Sequence, residues 1–301
     1  MVIADKLLVK MENLIENKQF DIVVNDIVKH FTINELQQTI SPVYKNNDTI
    51  LYNADCLKVM ASFSENCIDM IFADPPYNLS NGGITCYAGK MVSVDKGKWD
   101  KSNGFEDDVD FHEKWIFECK RILKPSGTIW ISGTNHSIYQ CGYLLQKLNF
   151  HILNDITWFK PNAAPNLACT TFAHSHETLL WAKKDKKSKH IFNYEIMKNG
   201  DFQEDKIKNQ NKQMRSVWSI PTPSQNEKEF GKHPTQKPLA LLKRIILAST
   251  NDNSLILDPF NGGGTTGIAS KIIGNRKYIG IDIEKEYINL TINRLEHINM
   301  F

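Results

Sequence analysis

The 301-residue chain has no two cysteines close enough in sequence to form a typical zinc motif. Most of its cysteines lie in apolar runs, where a free cysteine packs as a small hydrophobic residue. Their scatter in a chain of this size also gives no sign of a disulfide framework. We therefore expect no bound metal. The six are Cys56, Cys67, Cys86, Cys119, Cys141 and Cys169.

A secretion signal and a membrane span are also missing from the sequence. Residues 1–6 lack the apolar core of a signal peptide. No segment has the roughly 20 consecutive apolar residues that a membrane-spanning helix needs. We therefore expect a cytoplasmic protein with no membrane association. A hydrophobic content of 41% and a charged content of 23% predict an ordinary globular core.

The chain has no strong charge of either sign, since its formal net charge is only +2. The distribution is more informative than the total. Residues 183–232 hold twelve Lys and Arg against seven Asp and Glu, while the remainder holds 24 against 27. A basic segment on a slightly acidic body is typical of a surface that meets phosphates. The alternative is a solvated loop that is rich in lysine.

The string Asp74-Pro75-Pro76-Tyr77 ends an apolar run, residues 68–73, that has the length and composition of a buried strand. Asp74 can accept a hydrogen bond from an NH₂ group. Pro75 has no N–H and a fixed φ, so its carbonyl can be aimed at the same amine. Tyr77 supplies a ring face for stacking on a base. A strand-ending turn closed by an aromatic residue is the alternative, but the full string favours a site for a planar amine.

A second string, Asp-Pro-Phe-Asn-Gly-Gly-Gly-Thr-Thr at residues 258–266, joins a predicted strand to a predicted helix. This geometry lets a ligand approach the backbone at a helix N-terminus. Gly262, Gly264 and Gly267 meet the Gly-x-Gly-x-x-Gly spacing, which is a weak signal alone. Thr265 stands where a phosphate loop has lysine.

The next predicted strand, residues 277–282, ends in Asp282. In doubly wound folds an acid at this place holds ribose hydroxyls. The two features together predict a nucleoside-bearing ligand that needs no pyrophosphate. The alternative is a generic tight turn between a strand and a helix.

The two strings together resemble the amino-group DNA methyltransferases, and their order along the chain resembles the β group of that family. The segment His-Pro-Thr-Gln-Lys-Pro at residues 233–238 matches what the β group places before its glycine loop. These motifs span most of the chain. Residues 80–83, 92–97 and 164–167 resemble the small methylases of Dpn-type restriction systems, which act on adenine in GATC.

Alternating predicted strands and helices indicate a mostly parallel α/β sheet. The resemblance implies a Rossmann-like S-adenosylmethionine-dependent methyltransferase fold, with helices on both faces of a twisted sheet and a circularly permuted motif order. We expect an N-terminal helical extension at residues 1–46 and a methyltransferase domain at 47–301. Within that domain we expect a lid loop at 78–110 and a target-recognition insertion at about 183–232.

The resemblance implies methyl transfer from S-adenosylmethionine to the N6 amine of adenine in DNA, within a restriction-modification system. The target base must be flipped out or single-stranded, because its amine is otherwise buried in the base stack. A homodimer is also implied. The expected catalytic residues are Asp74, Pro75, Pro76 and Tyr77.

The resemblance also carries over a set of cofactor contacts. Lys237 is expected to pair with the cofactor carboxylate. Asp55 is expected either to accept from the cofactor's adenine amine or to cap a helix. The full set is Asp55, Thr235, Lys237, Asp258, Phe260, Gly262, Gly264, Thr265, Thr266 and Asp282. The candidate DNA contacts in the basic segment are Lys183, Lys184, Lys186, Lys187, Lys212 and Arg215, the last as a bidentate guanine contact.

Other functions share parts of this pattern. Cytosine-N4 methylation uses the same geometry, often with serine in place of Asp74. Methyl transfer to RNA or to protein glutamine fits less well, because similar glutamine enzymes carry Asn at that position. A non-catalytic DNA-binding subunit would not need both strings intact, and a dinucleotide oxidoreductase would leave Pro-Pro-Tyr without a use.

Overall fold

The structure is a computed structural model, and it describes residues 40–77, 84–87, 90–93 and 100–298. The chain divides into two units at residues 40 and 41, and the second unit holds all the elements below. The predicted helical extension lies outside the described residues up to residue 39, and so does much of the predicted lid. Both stay predictions for those residues. Within the described part, residues 44–45 of the predicted helical extension form a strand, and residues 105–110 of the predicted lid lie in a helix, so these two bounds are corrected.

Eleven strands are described. They are β1 (Tyr44–Lys45), β2 (Thr49–Asn53), β3 (Ile68–Ala73), β4 (Ile84–Tyr87), β5 (Lys90–Ser93), β6 (Leu123–Gly133), β7 (His151–Phe159), β8 (His176–Lys183), β9 (Val217–Ser219), β10 (Leu255–Asp258) and β11 (Lys277–Asp282). The described helices are α1 (Cys56–Ala61), α2 (Phe105–Ile122), α3 (Ile138–Lys147), α4 (Tyr194–Asn199), α5 (Leu239–Ser249), α6 (Thr265–Ile273) and α7 (Lys285–Glu296).

Nine of these strands form one sheet in the order β1-β2-β11-β10-β3-β6-β8-β7-β9, and β4 pairs with β5 separately. The five strands from β2 to β6 in this order are parallel. Strand β8 runs antiparallel to both β6 and β7. The helices form two contacting groups, α1 to α3 and α4 to α7, as expected for a sheet that is covered on both faces. The predicted fold class is confirmed.

The pairing of β3 with β10 positions the site. Met70 lies opposite Ile256 and Ile71 lies opposite Leu257, in parallel register. All four side chains are completely buried, as expected for central parallel strands. Because parallel strands end at the same edge, the segments that follow β3 and β10 leave the sheet side by side.

Tryptophans connect the sheet to the basic segment. Trp130 of β6 stacks on Trp181 of β8 with ring centroids 4.9 Å apart, and Trp218 of β9 lies 6.1 Å from Trp130. The indole N–H of Trp130 donates to Ser249 Oγ at the end of α5, at 3.1 Å. Since Trp218 is only 4% exposed, part of residues 183–232 belongs to the core.

Helix α2 passes into β6 without a loop between them. The helix ends at Ile122, and Leu123 begins β6 at once. A register shift lets Leu123 pair with Ile68, and Lys124 Nζ lies 2.8 Å from both oxygens of Asp69. These contacts keep the strand continuous through its Pro-Ser-Gly sequence, which locally favours a turn.

No helix within the described residues is long and apolar enough to cross a membrane. Across the same residues, no group of three or more His, Cys, Asp or Glu side chains is arranged to hold a metal ion.

A buried ion pair fixes the basic segment to α5. Arg244 Nη1 lies 2.6 Å from Asp205 Oδ2, and each side chain is 1% exposed. The other carboxylate oxygen accepts the backbone N–H groups of Ile207 and Ser219, both at 3.1 Å. A buried pair of this kind stabilises little by itself, but removing one partner leaves an uncompensated charge.

We expect Asp205→Ala to lower the free energy of unfolding by about 3–5 kcal/mol, because the buried Arg244 guanidinium loses its counter-ion. The matched control is Asp48→Ala, which breaks an exposed ion pair with Lys271 and should cost at most about 1 kcal/mol. Urea unfolding followed by circular dichroism measures both values. Equal losses for the two variants would contradict this account of the pair.

Candidate active site

A cavity of about 260 Å³ opens at the carboxyl edge of the central strands. Segments from β2, β3, β10 and β11 and the segment before α5 contribute to its walls. The two strings singled out in the sequence therefore border one space. The predicted residues that line it are Asp55, Asp74, Pro76, Thr235, Lys237, Asp258, Phe260, Gly262, Thr265, Thr266 and Asp282. Pro75, Tyr77 and Gly264 lie beside it but are not part of its lining.

The turn between β10 and α6 depends on glycine. Gly262 and Gly264 have φ angles of +49° and +72°, where residues with a Cβ are strained. A Cβ on Gly264 would lie only 2.4 Å from Thr291 Oγ1 of α7. The turn is held by Arg294 of α7, whose guanidinium donates to the carbonyl of Gly263. Helix α6 therefore begins against α7 with its N-terminus at the cavity.

A buried acid, Asp258, and a half-buried acid, Asp282, orient this turn. Asp282 Oδ2 accepts the N–H of Gly262 at 2.7 Å, and Oδ1 accepts the N–H of Glu284 at 2.9 Å. Asp258 Oδ2 accepts from Thr266 Oγ1 at 2.6 Å. Burial raises the pKa of Asp282 to about 6 and the pKa of Asp258 to about 7. Each oxygen of Asp282 keeps a second lone pair for a ligand hydroxyl.

Phe260 and Asp55 form the remaining walls at the glycine-turn end of the cavity. The ring of Phe260 packs edge-on against Trp115 at 5.3 Å and near Phe111 at 6.1 Å. Asp55 Oδ1 accepts the N–H of Leu57 at 2.8 Å, so it caps α1. The expected alternatives for Asp55 are therefore not exclusive, because the same residue caps the helix and lines the cavity.

Asp74 lies at the cavity wall with both oxygens engaged by protein donors. The Tyr77 hydroxyl donates to Oδ1 at 2.5 Å, and Lys237 Nζ lies 2.5 Å from Oδ2. The Asp74 side chain is 13% exposed and lines the cavity, and each of its oxygens keeps a second lone pair for a ligand.

Tyr77 does not present the open ring face that we expected for stacking. It is 4% exposed, and Lys237 Nζ lies 5.2 Å from its ring centroid. Its hydroxyl also lies 3.1 Å from Glu177 Oε2 and 3.3 Å from Ser132 Oγ. In this structure the buried hydroxyl holds Tyr77 inward, and the residue orients Asp74. Its role in stacking on a base stays a prediction.

Lys237 already has protein partners at the cavity wall. Its ammonium group contacts Asp74 Oδ2, Glu177 Oε2 at 3.4 Å and the carbonyl of Thr235 at 3.3 Å. These three acceptors match its three N–H donors. The predicted pairing of Lys237 with the cofactor carboxylate stays a prediction.

Hydrogen bonds to Glu227 of the basic segment hold the part of the chain that carries Thr235 and Lys237. Glu227 Oε2 accepts the N–H of Leu239, the first residue of α5, at 2.7 Å. The carbonyl of Glu227 accepts from Gln236 Nε2 at 2.8 Å. Gln236 Oε1 is buried and has no hydrogen-bond partner among the described residues, and Gln236 lines the cavity.

The first four candidate DNA contacts are placed away from the cavity. Lys183 lies opposite Thr128 at the far end of β8, about 17 Å along the strand from the site edge. Its Nζ donates to the carbonyl of Ser188 at 2.7 Å. Lys184 Nζ donates to the carbonyl of Leu123 and to Asn66 Oδ1, both at 2.5 Å.

The turn at residues 183–187 therefore closes the edge of the sheet opposite the cavity, and its contact with DNA stays a prediction. Lys186 and Lys187 belong to the same exposed turn. Lys212 and Arg215 are exposed beside edge strand β9, where they line a second cavity of about 950 Å³. That cavity lies four strands from β3, a separation of about 19 Å.

Glu177, Lys160 and Ser132 were not predicted from the sequence. Glu177 is the acid near the start of β8, and a charged residue that opens a buried apolar strand was an available signal. Lys160 follows β7 directly, and its Nζ lies 2.5 Å from Glu177 Oε1. Ser132 is near the end of β6. Only the strand order brings these three together.

A family model described as DNA methylase matches residues 68–293, about three quarters of the chain. The chain belongs to the DNA methylase family. Type II methyltransferase M2.LlaDCHI of Lactococcus lactis subsp. cremoris is 52% identical over 84% of this chain and 91% of the relative. Type II methyltransferase M2.DpnII of Streptococcus pneumoniae is 52% identical over 86% and 93%.

Solved structures agree with this assignment. The M1.HpyAVI–SAM complex matches with a TM-score of 0.60 and 30% identity, over 82% of this chain and 98% of that one. The cytosine-N4-specific PvuII DNA methyltransferase shares the fold, with a TM-score of 0.63 at 18% identity over 86% and 93%. The predictions of a Dpn-type DNA methyltransferase and of S-adenosylmethionine as its cofactor are confirmed.

We expect Gly264→Ala to destabilise the methylase by about 2–5 kcal/mol, from the left-handed backbone and the contact with Thr291. Binding of S-adenosylmethionine should weaken in parallel. The control is Gly142→Ala in α3, where a Cβ meets Leu180 at an ordinary 3.5 Å. That variant should be neutral or more stable by up to about 1 kcal/mol. Thermal unfolding and calorimetric titration measure both effects, and intact cofactor binding in Gly264→Ala would contradict the role of the turn.

Proposed function

We propose that this chain transfers a methyl group from S-adenosylmethionine to the exocyclic N6 amine of adenine in DNA, as the modification enzyme of a restriction-modification system. The observation that carries the proposal is the shared cavity of Asp74 and the glycine turn. An acceptor for an amine and a binding loop for a nucleoside open into one space from neighbouring strands.

The residues at the glycine end fit this cofactor. S-adenosylmethionine supplies an electrophilic methyl group on a sulfonium, and its other polar groups include donors on the ribose, the adenine and the ammonium. The cavity presents acceptors for such donors: Asp282, Asp55 and the unpartnered Oε1 of Gln236. Phe260 offers an apolar surface for the adenine ring. We assign the ribose hydroxyls to Asp282.

The residues at the other end of the cavity prepare the target amine. The N6 lone pair is delocalised into the base, so the amine is a poor nucleophile. Asp74 and the carbonyl of Pro75 accept the two amine protons, which favours a pyramidal nitrogen with its lone pair directed away from these two acceptors and toward the methyl donor. As the N–CH₃ bond forms and the S–CH₃ bond breaks, the nitrogen then loses one of its protons. Tyr77 and Lys237 hold Asp74 in place for this contact. The protein therefore contributes mainly the alignment of the amine with the methyl donor.

The amine must leave the base stack to reach Asp74, so the target base is flipped out or single-stranded. The leading acid at Asp74 favours adenine over cytosine N4. A homodimer stays a prediction. Mapping modified bases in DNA that was treated with the purified protein tests the substrate directly, because N6-methyladenine and N4-methylcytosine are distinguished by mass.

We expect Asp74→Ala to lower the methyl-transfer rate at least about 100-fold, because the amine loses its acceptor, while the affinity for S-adenosylmethionine stays within about threefold. Asp282→Ala should show the reverse pattern, with cofactor affinity weakened at least about tenfold through the lost ribose contacts. Single-turnover kinetics and calorimetric titration give the two quantities. Full activity in Asp74→Ala would remove it from the mechanism.

We also propose that Lys212 and Arg215 contact DNA phosphates or bases. Reversing both charges with Lys212→Glu and Arg215→Glu should weaken DNA binding and reduce the slope of log K against log salt by about 2. The matched control reverses two charges at the opposite edge of the sheet, with Lys186→Glu and Lys187→Glu. Anisotropy titrations between low and moderate salt separate the two pairs, and a larger effect from the control pair would reverse this placement.

A further inference from the structure

Four charged side chains lie together behind the amine site. Glu177 Oε1 lies 2.5 Å from Lys160 Nζ, and Glu177 Oε2 lies 3.4 Å from Lys237 Nζ. Lys237 Nζ in turn lies 2.5 Å from Asp74 Oδ2. Along the series of contacts Lys160–Glu177–Lys237–Asp74 the side-chain charges alternate in sign, and they sum to zero. The exposed fractions of these side chains are 18, 9, 5 and 13%.

A hydroxyl network runs parallel to the ion pairs. The Tyr77 hydroxyl has one proton and faces two carboxylates, Asp74 Oδ1 at 2.5 Å and Glu177 Oε2 at 3.1 Å. Ser132 Oγ lies 3.3 Å from both Glu177 Oε2 and the Tyr77 hydroxyl. The same oxygen of Glu177 therefore competes with Asp74 for Lys237 and for Tyr77.

This competition determines how firmly Asp74 is held. In a buried pair without Glu177, the whole charge of Lys237 would fall on Asp74, because few other groups solvate either side chain there. A carboxylate bound in that way is a weaker acceptor for an incoming amine. Lys160 balances the charge of Glu177 through the other carboxylate oxygen. Glu177 therefore stays ionised, and the cluster as a whole carries no net charge.

We propose that Glu177 is a positioning residue that shares Lys237 and Tyr77 with Asp74 and thereby keeps Asp74 available to the target amine. The inference deepens the proposed methyl transfer and rests on it. Glu177 itself lines no part of the cavity and contacts no reacting atom, since it acts through its neighbours.

The directions of the pKa shifts agree with this arrangement. Burial raises the pKa of Asp74, Lys237 opposes the rise, and Glu177 adds to it. Burial alone would raise the pKa of Glu177, but Lys237 and Lys160 outweigh it and lower that pKa to about 2. The other titratable groups that face Asp74 are Tyr77 on the same loop and Asp258 on β10.

The test is Glu177→Gln, which removes the charge and keeps the shape. Methyl transfer in single turnover, with saturating DNA and S-adenosylmethionine, should slow at least about tenfold. Removing a neighbouring negative charge lowers the pKa of Asp74, so the acid limb of the pH–rate profile should move to lower pH by about one unit. Affinities for cofactor and DNA should stay within about threefold.

A second variant should shift the pH–rate profile in the opposite direction, so it controls for a general loss of structure. Lys160→Gln removes a positive neighbour and leaves Glu177 to compete more strongly for Lys237. The acid limb should then move to higher pH. Glu177→Asp, which keeps the charge, should return the limb close to its original position. A general structural defect would shift both Gln variants in the same direction or not at all.

Unchanged rates and pH profiles in Glu177→Gln and Lys160→Gln would overturn this inference, and so would shifts of the same sign. A loss of rate that is matched by an equal loss of cofactor affinity in Glu177→Gln would overturn it as well. In each of these cases the wild-type enzyme still methylates adenine. If the wild-type protein methylates no DNA, the proposed function itself has failed.

Discussion

The parallel pairing of β3 with β10 is the constraint on which the site depends. Two segments about 180 residues apart in the chain leave the same edge of the sheet as neighbours, because Met70 and Ile71 lie opposite Ile256 and Leu257. Burial of these four side chains favours this register, since a one-residue slip of β3 would turn Met70 and Ile71 to the opposite faces of the sheet. A slip would also rotate Asp74 away from the glycine turn. The chemistry of the site is therefore set first by apolar contacts that take no part in it.

Charge burial is the second constraint. A single carboxylate at the position of Asp74 would be strongly disfavoured in its ionised form by the low polarity around it. The structure meets this cost with alternating signs along Lys160, Glu177, Lys237 and Asp74. On the cofactor side, backbone N–H groups and a threonine hydroxyl take the place of counter-ions for Asp282 and Asp258. One end of the cavity thus keeps full charges, and the other end holds acids whose pKa values lie near 6 and 7.

Local signals predicted the strands, the two strings and the cofactor loop, because each depends on residues that are adjacent in sequence. The glycine positions were evident from the strand-loop-helix pattern, and the structure gives Gly262 and Gly264 positive φ angles. The ion pairs were not predictable, since Lys237 and Asp74 are 163 residues apart and meet only through the strand order. The position of the candidate lysines at 183–187, opposite the cavity, was not evident from the sequence for the same reason. Charge counting along the chain does not reveal that β8 carries that turn to the far edge.

The contacts between residues 183–232, the predicted target-recognition insertion, and the rest of the fold limit how this segment can be exchanged between methylases. Asp205 binds Arg244, Glu227 accepts the first N–H of α5, and Trp218 fills the core. The segment is therefore attached to the fold at three positions, and it cannot be exchanged as an independent surface loop. A graft from another methylase would have to bring these anchors with it or find them already present in the recipient. Within this segment, substitutions are most easily accommodated at the exposed positions between the anchors, where they leave helix α5 and the preceding Lys237 segment undisturbed.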